Sequence, residues 1–183
     1  MKQLRYLSIQ GKNAPAFWFR NYDAHNFRST VESITLSQAL LVSSIYRTDL
    51  FYYSDNEEDQ GIILRAWSAF KRLEHESIRV ARFIRGSDRS ESFECYFDTL
   101  FHLMHHPAHL ARYKERFKEV VQIEPQNCIL KDLMACDLHL SEKYRKEELD
   151  HVSLSDPVAK AAFLPCRHFS LIADKGLAEM IYN

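Results

Sequence analysis

The stretch at residues 57–86, EEDQGIILRAWSAFKRLEHESIRVARFIRG, decides how the rest of the chain reads. Ile63, Ala66, Trp67, Phe70, Leu73, Ser77, Val80, Ala81 and Ile84 fall on one side of a helical wheel, the pattern of an amphipathic helix with one buried face. Acidic residues stand at its start, where the helix dipole favours negative charge, and Gly86 is placed as a C-cap. The periodicity therefore predicts one long helix from about Glu57 to Arg85.

The segments on either side also read as helical. Upstream, Ser29-Thr30-Val31-Glu32 has the form of a capping box and predicts a helix from about Thr30 to Arg47, with Val31, Ile34, Leu41, Val42 and Ile45 facing inward. Asn13 and Pro15 begin a short helix through Phe19, and Leu4–Ile9 reads as a short strand or an irregular lead-in. Downstream, Phe93, Phe97, Leu100, Phe101 and Met104 form a buried stripe that Pro107 interrupts, so two helices meet there, the second running from about Ala108 to Val121. Glu124–Asn127 is a turn, Cys128–His151 a further helix, and Val158–Leu164 and His168–Tyr182 supply shorter ones.

Composition agrees with this reading. Four glycines and five prolines in 183 residues leave few turn-formers for a sandwich or barrel. Hydrophobic residues at 46% and charged residues at 27% match a globular chain large enough to bury its own core. No repeat or linker divides it. The expectation is an all-α fold, a single-domain bundle of about six or seven helices over residues 1–183, with at most a short N-terminal strand. Cys95, Cys128, Cys136 and Cys166 follow no metal or redox spacing, and neither a signal peptide nor a membrane span is written, which points to a cytoplasmic protein with no membrane partner.

The net charge of −1 hides an asymmetry: residues 65–89 hold seven Lys/Arg against three Asp/Glu, while residues 90–183 hold eleven against fifteen. Arg65, Arg72 and Arg79, with Lys71 and Arg82, make a basic helix face suited to an acidic protein partner or to nucleic acid phosphates. A solvated face pairing with Glu74 and Glu76 is the plain alternative. With 13% aromatic residues, the charge pattern favours a protein-binding module, an adaptor, chaperone or regulatory protein, with a homodimer as one form of partnership.

Two chemical readings stand beside it. On the predicted helix before Pro107, Asp98, His102, His105 and His106 lie opposite the phenylalanines, at spacings that allow two or three of them to ligate one transition metal. Cys136 with His139, or Glu148 with His151, would supply the remaining donor. No other cofactor is suggested. Arg20-Asn21-Tyr22-Asp23-Ala24-His25 and the segment Arg145–His151 each place Arg and His a few residues apart. The first resembles the RN-x-x-x-H form of the metal-independent HEPN ribonucleases, and that resemblance implies an Arg holding the scissile phosphate while His moves a proton.

Overall fold

Residues 39–54, ALLVSSIYRTDLFYYS, are dense in β-branched and aromatic side chains, and in the computed structural model they fold as a hairpin, not as the end of a helix. The structure describes residues 1–74, 77, 81–103 and 105–151, the side chains of residues 21 and 141–151 excepted. Strands β2 (Ala39–Ser44) and β3 (Arg47–Ser54) pair antiparallel with Ser44 opposite Arg47, leaving Ile45 and Tyr46 as the turn. Neither turn residue has a positive φ. The Ser44 hydroxyl organises the turn instead: its oxygen accepts from the amides of Tyr46 and Arg47 at 3.4 and 3.2 Å and it donates to the Arg47 carbonyl at 3.1 Å.

The remaining strands flank this hairpin. β1 (Gln3–Gln10), whose core is the Leu4–Ile9 segment, pairs antiparallel with β3 on one side and with the short β4 (Ile84–Gly86) on the other. The sheet order is β2-β3-β1-β4. Helices α1 (Ala14–Phe17) and α2 (Asn21–Thr35) connect β1 to β2, and α3 (Glu58–Lys71) lies between β3 and β4 in sequence. β1 and β2 thus run the same way with β3 between them, and β3 and β4 the same way with β1 between them. This is the ferredoxin-like split βαβ connectivity.

Both faces of the sheet are covered. On one, Phe27 and Val31 of α2 and Ile63 and Trp67 of α3 join Leu7, Ile9, Ala39, Leu41, Leu50 and Tyr52 in a single buried cluster. On the other lies α4 (Arg89–Leu103), whose Tyr96 ring stands 5.3 Å from Phe51 and 6.1 Å from Tyr6. Ser92 Oγ donates to the Leu4 carbonyl at 3.2 Å. A strand buried on both faces reads as a continuous apolar run instead of an alternating one, which is why Ala39–Val42 passed for helix.

The all-α helical bundle is therefore corrected to an α+β fold with a four-stranded antiparallel sheet. Two expected helices shrink. The helix placed over Thr30–Arg47 is α2, which starts earlier and ends at Leu36, a left-handed residue with φ 48°. The Ser29–Glu32 motif lies inside it, where Glu32 Oε1 accepts from the Ala39 amide at 3.2 Å and so anchors the start of β2. The long helix over Glu57–Arg85 ends at Arg72, left-handed at φ 51°, with the Leu73 amide bonding back to Ser68 O and the Arg72 amide to Ala69 O. That is a Schellman cap made without glycine.

The chain groups into two compact units, residues 1–120 and 121–183. Helix α5 (Pro107–Ile123) begins at the proline that was expected to break the histidine stretch. In the second unit, α6 (Cys128–His151) spans the expected segment and is capped by Asn127, whose Oδ1 accepts from the Ile129 and Leu130 amides. The helices expected at residues 158–164 and 168–182 lie outside the described residues. Among the described residues no helix is long and apolar enough to cross a membrane.

Gly86 has a packing role in place of the expected helix cap. A Cβ added there would stand 2.5 Å from the Ser92 Cα, so only glycine lets α4 approach the sheet this closely. We predict that Gly86→Ala lowers stability by about 1–3 kcal/mol in chemical denaturation, since backbone must move. The same change at Gly61 inside α3, where the new carbon meets only a side-chain nitrogen at 3.6 Å, should raise it by about 0.5–1 kcal/mol.

Candidate functional site

Alternation along β3 puts Arg47, Asp49 and Phe51 on the face covered by α4, and this row carries the most concentrated polar chemistry in the described core. Arg47 and Asp49 are both fully buried, and Arg47 Nε donates to Asp49 Oδ2 at 2.6 Å. Tyr6, next door on β1, donates its hydroxyl to Asp49 Oδ1 at 2.7 Å. Arg47 Nη2 donates to the Tyr6 hydroxyl and to the Tyr96 carbonyl, both at 3.2 Å. Arg47 Nη1 is buried without a hydrogen-bond acceptor, but the Tyr96 and Tyr113 rings stand 5.0 and 5.1 Å from the guanidinium carbon, within cation–π reach. The two phenol oxygens lie 3.0 Å apart.

Electrostatics follow from this burial. Removal from water, and then the Asp49 carboxylate, push the Tyr6, Tyr96 and Tyr113 phenols well above their ordinary range. For Arg47, burial acts to lower the pKa, but Asp49 and the tyrosines reverse it, and the guanidinium is held charged. The cluster is thus a fixed ion pair under a lid of protonated tyrosines. It is sealed from solvent, and its work is to tie β1, β3, α4 and α5 together.

A surface pocket lies over the same end of the sheet. It has a volume of about 350 Å³ and is walled by Trp18, Ser44, Ile45, Arg112, Glu115, Arg116 and Glu119. Ser44 and Ile45 stand at the hairpin turn, three and two residues from Arg47, while Arg112 is the neighbour of Tyr113. The buried network therefore anchors two walls of the pocket. A second clamp lies at the turn, where the Tyr46 ring stacks on His109 at 3.7 Å and His109 on His106 at 5.3 Å. Arg116 Nη1 binds Glu119 Oε2 at 2.6 Å. The wall thus offers an indole, an aliphatic side chain, two guanidinium groups and two carboxylates.

The residues singled out in the sequence lie elsewhere. Arg65, Arg72 and Arg82 are exposed, but they no longer share one helix, because α3 stops at Lys71. Lys71 turns onto the protein, donating to the Trp18 carbonyl at 2.6 Å with its ammonium 5.2 Å over the Phe19 ring. Arg79 lies outside the described residues. Asp98, His102, His105 and His106 are exposed on α4 and the connection to α5. Among the described residues no three His, Cys, Asp or Glu side chains gather as a metal set.

Arg20 and His25 are exposed at the start of α2, where the His25 ring nitrogen lies 3.4 Å from Arg28 Nη2. The all-helical frame that accompanied the HEPN resemblance is absent from the α+β unit around them. Arg145, Glu148 and His151 fall on the last turns of α6, and their side chains lie outside the described residues. The sequence reading missed Tyr6, Arg47, Asp49, Tyr96 and Tyr113. The usable signal was the i, i+2 spacing of Arg47 and Asp49, which share a face only in a strand.

Removing one partner of the buried pair leaves the other charge unpaired. Asp49→Ala is expected to cost about 3–5 kcal/mol, whereas the double change Arg47→Met with Asp49→Leu should recover most of that loss. Urea denaturation of Asp49→Ala and of the double variant measures the difference. Comparison with protein-family models, with curated proteins and with solved structures finds no match, so the function is read from the site itself.

Proposed function

We propose that the protein is a non-catalytic protein-binding module whose recognition surface is the hairpin-tip pocket and the charged side of α5. The observation that carries this reading is the make-up of the pocket wall: Trp18 and Ile45 beside Arg112, Glu115, Arg116 and Glu119. Aromatic and arginine side chains in a pre-formed concavity are the groups that dominate protein interfaces. Ser44, the wall's hydroxyl, is committed to the hairpin turn. The wall therefore has recognition chemistry without an available nucleophile.

The covered sheet supports the same reading. Ferredoxin-like RNA-binding domains stack bases on an open sheet face, whereas here Tyr6 and Phe51 are buried under α4. The basic positions Arg65, Arg72 and Arg82 remain exposed and serve in this account as solvated charge. Cys95 is a free thiol, and on that ground we place the protein in a reducing compartment, the cytoplasm.

Affinity capture with the immobilised protein tests the reading. A stoichiometric protein partner, another copy included, should be held by the wild type and lost by about tenfold or more in Trp18→Ala and Arg112→Glu. Their thermal stability should match the wild type, and Arg65→Glu with Arg72→Glu should bind normally. Capture that is indifferent to both pocket variants would contradict it.

A further inference from the structure

The four charged residues on the pocket side of α5 are arranged with an internal symmetry. At 100° per residue Arg112, Glu115, Arg116 and Glu119 fall within an arc of about 100° on the wheel, so they form one surface strip. The inward side of the same helix is held by Tyr113 and Phe117, both buried. Read along the strip, the order is plus, minus, plus, minus. Reversing the helix about the point midway between Glu115 and Arg116 exchanges Arg112 with Glu119 and Glu115 with Arg116. Every position is thereby mapped onto one of opposite charge.

We infer that the occupant of this surface is a second copy of the chain, docked by its own α5 in antiparallel fashion across a two-fold axis. This rests on reading the pocket as a protein-binding surface, and it names the partner. A two-fold interface is isologous, so a residue i that meets j also presents j to i. With the axis between Glu115 and Arg116, Arg112 meets Glu119 of the partner, Glu115 meets Arg116, and the same two pairs recur by symmetry. Four opposite-charge pairs form and no like charges face each other. A parallel arrangement would set each residue against its own copy and oppose like charges throughout.

Further features of the strip favour the antiparallel pair. Among the described residues Arg112 and Glu115 have no ion-pair partner of their own chain. The Arg116–Glu119 contact holds two of the four groups in place before docking, which reduces the ordering cost. The pocket, with the room of roughly ten water molecules, receives side chains of the opposing helix between Trp18 and the strip. Pairs of this kind near a surface are screened by salt, so the dimer should weaken as ionic strength rises.

Charge reversal in two complementary variants tests the inference. Arg112→Glu with Arg116→Glu makes the strip wholly acidic, and Glu115→Arg with Glu119→Arg makes it wholly basic. In sedimentation velocity at low salt the wild type should be a dimer, and each variant should dimerise at least about tenfold more weakly. An equimolar mixture of the two should restore the dimer as a mixed species. Arg112→Glu alone, at an exposed residue, checks the result should either double variant fold poorly.

A wild type that stays monomeric at high micromolar concentration would overturn the inference, as would reversed variants that still dimerise. The two layers fail separately. A monomer whose Arg112→Glu form loses a different protein in the capture experiment removes self-association and keeps the binding surface, whereas indifference in both experiments removes both.

Discussion

Arg47 and Asp49 sit two residues apart on a central strand and meet at 2.6 Å in a site closed to water. Such a pair is a demanding thing to bury, because each charge loses several kcal/mol of hydration that only good geometry and further hydrogen bonds recover. Here the remaining valences are met from three other elements: the Tyr6 hydroxyl on β1, the Tyr96 carbonyl on α4, and the rings of Tyr96 and Tyr113, the latter on α5. An apolar residue could fill the same volume, but it would not fix the register of β1 on β3 or the height of α4 above the sheet. The ion pair makes those placements mutually dependent. The demand reaches Gly86, where α4 comes so close that no side chain fits.

This arrangement bears on the surface above it. The hairpin turn that lines the pocket begins directly beside Arg47, and the charged strip of α5 is carried on a helix whose Tyr113 is locked into the network. The Tyr46–His109 stack adds a clamp at the turn. The walls of the pocket are therefore fixed before anything binds, and a pre-organised surface loses less in ordering when it docks. In the proposed reading, stability and recognition are linked through the same few side chains.

Much of the helical part was legible in the sequence. The phenylalanine stripe marked α4 as a helix, Pro107 marked the start of α5, and the Glu124–Asn127 turn placed α6. The sheet was not legible, for physical reasons that can be named. Helices α2 and α3 end on Leu36 and Arg72 in the left-handed region, where the sequence signals are glycine and asparagine. The β2–β3 turn contains neither Asn-Gly nor any residue with positive φ, and it is held by the Ser44 side chain instead. With both faces of β2 buried, the two-residue alternation that marks a half-exposed strand is missing. The buried cluster was hidden for the same reason, since Arg47 and Asp49 are neighbours only once the segment is recognised as extended. The charged strip on α5 was in view as Arg112, Glu115, Arg116 and Glu119, but its importance depended on knowing which side of the helix Tyr113 and Phe117 hold.

The central claim is that a buried Arg47–Asp49 pair holds this unit together, and the Arg47 side chain reports on it directly. Solvent exchange of the Arg47 Nε proton, followed by nitrogen-resolved NMR, is the most direct measurement. The account predicts a resonance that persists near neutral pH and exchanges as slowly as the amides of β1 and β3, because both need the same opening of the core. Exchange as fast as that of the exposed guanidinium groups of Arg65 and Arg112 would contradict it.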